Sequence, residues 1–296
     1  IGAIGETHSI PTERFEGFDG VDVVQRITQP YKLASRQFHP EDSVIPLSNF
    51  AVGGNEIAVI AGPCSVESRS QIIETAIAVK EAGASALRGG VFKPRTSPYA
   101  FQGLGEEGLE LLAEAREVTG LPIVVEIMSQ VQVDVMVKYV DVLQVGARNM
   151  QNFNLLRAIG ETRTAVLLKR GLSASVEELL MSAEYILAGG NNRVMLCERG
   201  SNFGYDNLVV DMLGFGVMKR TCNNVPLIFD VTHALQCRDS GGAASGGRRS
   251  QVVELARSGM ALGLAGLFLE AHPDPDKALC DGPSALPLKQ LEPFLQ

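Results

Sequence analysis

Arg88, Lys93, Arg95, Arg148, Lys169 and Arg199 are the cations whose placement invites a chemical reading. Each closes a short apolar run or lies in the loop just beyond one. A guanidinium fork binds phosphate or carboxylate through two parallel bonds, while an ammonium supplies a compact charge. Six cations on one rim would exceed the carboxylates at hand, which implies anionic ligands, most simply phosphates. Taken singly, each reads equally well as a solvated or salt-bridged rim residue.

A second set holds Cys64, His233, Glu270 and Asp281, with His272 competing for the place of His233. Sulfur, nitrogen and two carboxylate oxygens suit a divalent transition metal such as Mn, Fe, Co or Zn better than Ca or Mg. Such an ion can polarise a carbonyl oxygen. The plainer reading of Cys64 is a small buried apolar residue. The stretch Ser245-Gly246-Gly247-Arg248-Arg249 opens a helical pattern, and free N–H groups there can cradle an anion. It serves equally as a hinge with a Ser N-cap. Glu126 reads as a partner for neighbouring cations, and Met128, Met150 and Met181 read as packing residues.

The elements that must position these groups follow from the apolar runs 57–61, 84–87, 123–125, 142–143, 166–168, 194–197, 227–229 and 266–269. Short, wholly apolar runs are the mark of parallel strands covered on both faces, and barrel chemistry sits where such strands end. Helical periodicity covers 70–81, 106–118, 129–138, 151–159, 176–188, 206–220, 248–261 and 286–295. Ser129, Asn152 and Ser175 are placed as N-caps; Gly83, Gly120 and Gly189 stand at helix ends. Strands alternating with helices predict a (β/α)8 TIM barrel over 51–296. Residues 1–50, with scattered Pro and His, read as an N-terminal extension and linker. The longest irregular stretches, 89–105 and 231–247, follow strands on the catalytic face, where loops of such length are usually functional.

Bulk properties narrow the class. The 296 residues fit one large domain, and 45% hydrophobic content is ordinary for a globular α/β chain. A net charge of −8 argues against nucleic acid as a partner and makes a local cluster of cations more informative. No apolar run approaches the ~20 residues needed to span a bilayer, and the first residues lack the pattern of a signal peptide. Five cysteines without C-x-x-C spacing suit a reducing, cytoplasmic setting.

The runs Ala61-Gly62-Pro63-Cys64-Ser65-Val66-Glu67, Leu87-Arg88-Gly89-Gly90 and Lys93-Pro94-Arg95-Thr96-Ser97 resemble 3-deoxy-D-arabino-heptulosonate 7-phosphate (DAHP) synthases. Gln144-Val145-Gly146-Ala147-Arg148-Asn149 and Leu168-Lys169-Arg170-Gly171 extend the likeness. It is to the microbial type related to 3-deoxy-D-manno-octulosonate 8-phosphate (KDO8P) synthase and runs from about residue 1 to residue 200. Residues 1–50 are similar to the end of that type's ferredoxin-like regulatory domain and its linker, which implies a partial remnant and leaves feedback regulation unassigned. From about Ser201 the resemblance shifts. Asn202-Phe203-Gly204-Tyr205-Asp206-Asn207-Leu208, Phe229-Asp230-Val231-Thr232-His233-Ala234-Leu235-Gln236 and Cys280-Asp281-Gly282-Pro283-Ser284 look like KDO8P synthase. The chain reads as a hybrid with its seam near Gly200.

Both enzymes condense phosphoenolpyruvate with an aldose phosphate and release phosphate. The resemblance implies that Arg88, Lys93, Arg148, Lys169 and Arg199 hold phosphoenolpyruvate and that Pro94, Arg95 and Thr96 meet the aldose phosphate. It makes Cys64, His233, Glu270 and Asp281 the metal ligands, and Lys93, Cys64 and His233 the catalytic residues. Some octulosonate enzymes carry Asn in place of the Cys and need no metal, so Cys64 implies the metal-dependent kind. A homotetramer is implied as well.

The acceptor separates the two enzymes. Lys-Pro-Arg-Thr-Ser at 93–97 is the erythrose 4-phosphate version of that loop, and 146–149 agrees; the loop 231–247 agrees with arabinose 5-phosphate instead. The expectation is a DAHP synthase of the shikimate pathway to aromatic amino acids, with KDO8P synthase of lipopolysaccharide biosynthesis as the alternative. A reading of another class is a silent phosphoenolpyruvate-binding barrel, since a ~1 Å mismatch between loops of two enzymes can cost ~10²-fold in rate.

Overall fold

Side chains alternate along a strand, so parity decides which residues face a barrel's axis and which face its helices. The computed structural model describes residues 5–93, 98–204, 206–222, 224–237 and 246–296. Before the barrel come α1 (Glu13–Glu16) and a hairpin of β1 (Ile45–Pro46) and β2 (Ala51–Val52). The barrel strands are β3 (Ala58–Gly62), β4 (Ala86–Arg88), β5 (Ile123–Ile127), β6 (Val142–Val145), β7 (Ala165–Lys169), β8 (Val194–Glu198) and β9 (Leu227–Asp230). The two-residue strands β10 (Gln236–Cys237) and β11 (Gly246–Gly247) come next, then the eighth barrel strand β12 (Gly266–His272) and the short β13 (Leu286–Pro287). Strands β3 to β9 pair in sequence order and β12 joins β9 to β3, which closes a parallel eight-stranded barrel.

Parity is legible in the packing. One apolar cluster gathers Ala58, Ile60, Ala86, Val124, Val142, Ala165, Leu167, Met195, Cys197, Ile228 and Phe268, the side chains that point to the axis. Their neighbours Val59, Ala61, Leu87, Val125, Val166, Leu168 and Leu196 join the larger cluster under the helices. Ile45 and Val52 complete the axial cluster, so the hairpin closes the barrel at the end where the strands begin. The hairpin straddles residue 50. Upstream, the Glu184 carboxylate accepts the backbone N–H groups of Leu33 and Ala34 at 2.9 and 2.8 Å, which fastens the N-terminal segment to the barrel's flank.

The outer helices are α2 (Arg69–Glu81), α3 (Glu106–Thr119), α4 (Val133–Met136), α5 (Phe153–Gly160), α6 (Val176–Ala188), α7 (Met212–Thr221), α8 (Val252–Met260) and α9 (Leu291–Leu295). Asn152 caps α5, a Ser175–Glu178 capping box starts α6, and Gly120 ends α3 in the left-handed conformation. Three helices differ from the periodicity. The pattern over 206–220 becomes helix only from Met212, because bridges Ser201↔Val209 and Asn207↔Cys237 hold the earlier part extended. Leu286–Pro287 pairs with β12, so α9 is short. The Ser129 capping box starts a 3-10 turn that runs into the one-turn α4. Among the described residues no helix is long and apolar enough to cross a membrane.

Candidate active site

Following the axial parity to the strand ends gives Arg88 on β4, Glu126 on β5, Gln144 on β6, Lys169 on β7, Arg199 just after β8, Asp230 on β9 and Glu270 on β12. Of these, Arg88, Gln144, Lys169, Arg199, Asp230 and Glu270 are buried. Buried charges persist only when paired or bound by a ligand. Arg88 Nη1 donates to Glu270 Oε1 at 3.0 Å and also to the Pro63 carbonyl. Lys169 Nζ donates to Asp230 Oδ2 at 2.5 Å. The Phe268 ring lies between them: its centroid is 3.7 Å from Lys169 Nζ and 5.1 Å from Arg88 Cζ. The cations are therefore partly neutralised, contrary to the surplus expected from the sequence. What stays open is specific: Nη1 of Arg199, Nε of Arg88 and Oε2 of Glu270 are buried without a hydrogen-bond partner among the described residues. Such orphans at one strand-end layer call for a ligand that satisfies them.

Lys93 joins this layer from the loop after β4. Its Nζ donates to the Cys64 carbonyl at 3.1 Å and to Cys64 Sγ at 3.2 Å. Burial opposes its charge, but the interactions with Cys64 and Glu126 outweigh burial and hold the ammonium above its ordinary range. Arg199 Nη2 donates to Gln236 Oε1 at 2.7 Å, and burial lowers the pKa of Arg199 from the usual value. Arg148 lies in the 3-10 turn Ala147–Asn149 after β6 and is exposed. Pro94, Arg95 and Thr96, the expected aldose-phosphate contacts, lie outside the described residues.

Three of the four expected metal ligands converge. One donor atom each from Cys64, Glu270 and Asp281 falls within 4.8 Å of the others. His233 stands beside them, with Nε2 at 3.3 Å from Glu270 Oε1 and 4.0 Å from Asp281 Oδ2. His272 is occupied elsewhere: its Nδ1 accepts the Asp274 N–H at 3.0 Å and its Nε2 meets Glu67 Oε2 at 3.4 Å. The donor chemistry and the orphaned Glu270 Oε2 both fit a divalent transition metal. A hydrogen bond with Cys280, then burial and the nearby carboxylates, pushes the Cys64 thiol well above its ordinary pKa. A bound cation would displace that proton.

Asp230 closes the apolar run 227–229 but has no role assigned from the sequence, and it organises the site. Its Oδ2 lies 2.6 Å from His233 Nδ1, and its Oδ1 accepts the His233 N–H at 2.9 Å and the Thr232 hydroxyl at 3.2 Å. Burial opposes its charge, but His233 and Lys169 outweigh it and hold the carboxyl well below the usual range. The signal in the sequence was an Asp at a strand end three residues before a candidate ligand. Arg170 and Glu198 likewise have no role assigned from the sequence. Their parity points outward, where Arg170 Nε and Nη2 each meet a Glu198 oxygen at 2.7 Å. Glu198 Oε1 further accepts the N–H groups of Arg199 and Gly200. This knot ties the ends of β7 and β8, and with them Lys169 and Arg199.

The sequence profile of the DAHP synthetase I family matches residues 37–296. The chain belongs to that family. Among relatives of this DAHP synthetase I chain is the phospho-2-dehydro-3-deoxyheptonate aldolase of Thermotoga maritima. It is 42% identical over 298 aligned residues, which cover 100% of this chain and 85% of the relative. The crystal structure of the Thermotoga maritima phospho-2-dehydro-3-deoxyheptonate aldolase (DAHP synthase) superposes with a TM-score of 0.84 over 99% of this chain and 83% of that one. The 2-dehydro-3-deoxyphosphooctonate aldolase of Parasynechococcus marenigrum is 55% identical over 202 residues, 68% of this chain and 71% of the relative. Both enzyme types named in the sequence reading are thus among the relatives.

Proposed function

We propose that this chain condenses phosphoenolpyruvate with erythrose 4-phosphate to give DAHP and inorganic phosphate. The observation that carries this reading is the 42% identity to a phospho-2-dehydro-3-deoxyheptonate aldolase across the whole chain. Arg88, Lys93, Arg148, Lys169 and Arg199 would hold the phosphate and carboxylate of phosphoenolpyruvate, with the open Nη1 of Arg199 as a ready donor. Pro94, Arg95 and Thr96 would meet the aldose phosphate. Cys64, His233, Glu270 and Asp281 would hold a divalent Mn, Fe, Co or Zn ion. When bound, that ion supplies Lewis-acid polarisation of the aldehyde oxygen.

In the reaction, C3 of phosphoenolpyruvate bonds to the aldehyde carbon, the oxygen of water adds at C2, and the C–O bond to phosphate breaks. The charges fixed by burial keep the two anionic reactants at short range against their repulsion. Lys93, held as an ammonium beside Cys64, stands ready to support charge that develops on oxygen near the metal corner. Asp230 orients His233 from behind and keeps Lys169 in place.

One observation favours a second acceptor. The 55% identity to an octulosonate aldolase over 202 residues supports arabinose 5-phosphate, the KDO8P synthase substrate. Phosphate release measured with each sugar phosphate separates the two readings. The remaining assignments accompany the proposal. Residues 1–50 act as an extension left from a ferredoxin-like element and 51–296 as the catalytic barrel. Five free cysteines suit a cytoplasmic site, and the assembly is a homotetramer.

A further inference from the structure

The Gly246-Gly247-Arg248-Arg249 stretch, read from sequence as an anion cradle or a hinge, does something else in the fold. Gly246 and Gly247 pair antiparallel with Cys237 and Gln236, directly after the 3-10 turn His233–Leu235 that carries His233. On its other side Gly247 lies against the turn that carries Asp281. A Cβ on Gly247 would fall 2.6 Å from Pro283 C and 2.6 Å from Ser284 N. Those are backbone atoms and cannot swing aside. Arg249 Nη2 donates to the Gly282 carbonyl at 2.8 Å and lies 3.6 Å from Asp276 Oδ1.

The Asp281 turn has reason to need such a clamp. Asp281 has φ +49°, a left-handed conformation that a residue with a Cβ seldom adopts. Its carbonyl accepts the N–H groups of Ser284 and Ala285. A Cβ on Gly282 would fall 2.1 Å from the Pro275 carbonyl oxygen, so the turn is pressed from that side as well. The Asp281 carboxylate in turn accepts the Cys64 thiol at 3.4 Å and stands 4.0 Å from His233 Nε2. A continuous path thus runs from His233 through β10 and β11 to the 283–284 peptide and Asp281.

We infer that Gly247 and Arg249 are positioning residues for the metal corner, which fix the Asp281 carboxylate relative to His233 and Cys64. They touch neither substrate nor ion. The inference rests on the reading of Cys64, His233, Glu270 and Asp281 as metal ligands. Residues that hold ligands in place typically change metal affinity by ~10–100-fold when removed. The adjacent Arg248 donates to the Leu208 carbonyl and to Gln251 Oε1, away from the Asp281 turn, and provides the internal comparison.

The test uses the full chain stripped of metal and titrated with Co²⁺, read by calorimetry and by the thiolate-to-cobalt absorption band. Arg249→Ala should bind Co²⁺ about 10-fold or more weakly, with a weakened or shifted band. Arg249→Lys should recover part of the affinity, because an ammonium still reaches a carbonyl. Gly247→Ala should weaken binding at least as much, and Arg248→Ala should bind as the parent does. Equal affinity in the parent, Arg249→Ala and Gly247→Ala would overturn the inference. If Arg249→Ala and Gly247→Ala fail to fold, the Lys variant decides: parental affinity and band overturn it, and an intermediate loss supports it. If the parent itself binds no Co²⁺, or binds it without a Cys64-dependent band, the metal reading fails first and the inference with it.

Discussion

Asp230 binds Lys169 at 2.5 Å and reaches His233 Nδ1 at 2.6 Å with the same carboxylate oxygen. One buried anion therefore supports a candidate phosphoenolpyruvate cation and a candidate metal ligand at once. Asp230→Asn should cost about 3–5 kcal/mol of stability, the usual result of removing one partner from a buried pair. It should also lower kcat/KM and metal affinity together, each by ~10–100-fold. Denaturant unfolding and metal titration check the two effects separately. A stable variant with parental metal affinity would remove Asp230 from this role.

The difference between what the sequence held and what it hid is clear at this pair. Apolar runs ending in charged residues were enough for the barrel, but which parity faces the axis, and so carries Arg88, Lys169 and Glu270 inward, is set by the closed structure. What pairs with what was not legible. Arg88 and Glu270 are 182 residues apart and Lys169 and Asp230 are 61 apart, so their meeting depends on barrel closure. Parity could have separated Arg170 and Glu198 from Lys169 and Arg199, because it places the first two outside. Helical periodicity misled over 206–220 and 286–295. There bridges hold the backbone of Asn207, Val209 and Leu286 extended, so the helices begin later.

Among the described residues the Arg199 guanidinium donates from Nη2 to Gln236 and leaves Nη1 buried and open. A hydrogen bond to a charged group contributes about 1.5–3 kcal/mol. Arg199→Ala should accordingly raise KM for phosphoenolpyruvate by roughly ten- to a hundredfold, with a smaller effect on KM for the aldose phosphate. Initial-rate kinetics with each substrate varied in turn measure both. An unchanged KM for phosphoenolpyruvate would take Arg199 out of that site.

Metal removal tests the convergence of Cys64, Glu270 and Asp281. Treatment with EDTA should abolish turnover, and Mn²⁺, Co²⁺ or Zn²⁺ should restore it. Cys64→Ala should not be rescued at metal concentrations that saturate the parent. Full activity in a chelated sample shown by elemental analysis to hold no metal would refute the role of Cys64.

Glu67 lies off the metal corner and supplies a pH signature. Burial opposes its charge, but the His272 hydrogen bond and the Leu279 N–H outweigh burial and lower its pKa. A carboxylate with a depressed folded value stabilises fully above its unfolded pKa of about 4.3, and that contribution is lost as pH falls through the folded value. Glu67→Gln should therefore melt below the parent at pH 6, with the gap closing below about pH 4. A gap that stays constant across that range in thermal melts would show that the Glu67 charge contributes nothing.

The most direct test of the proposed function is the choice of acceptor by the metal-loaded enzyme. Phosphate release from phosphoenolpyruvate is followed with erythrose 4-phosphate and with arabinose 5-phosphate under the same conditions. The higher kcat/KM should belong to erythrose 4-phosphate, with DAHP as the product identified by mass. Equal or faster turnover with arabinose 5-phosphate, or tight phosphoenolpyruvate binding without release of phosphate from either, would contradict it.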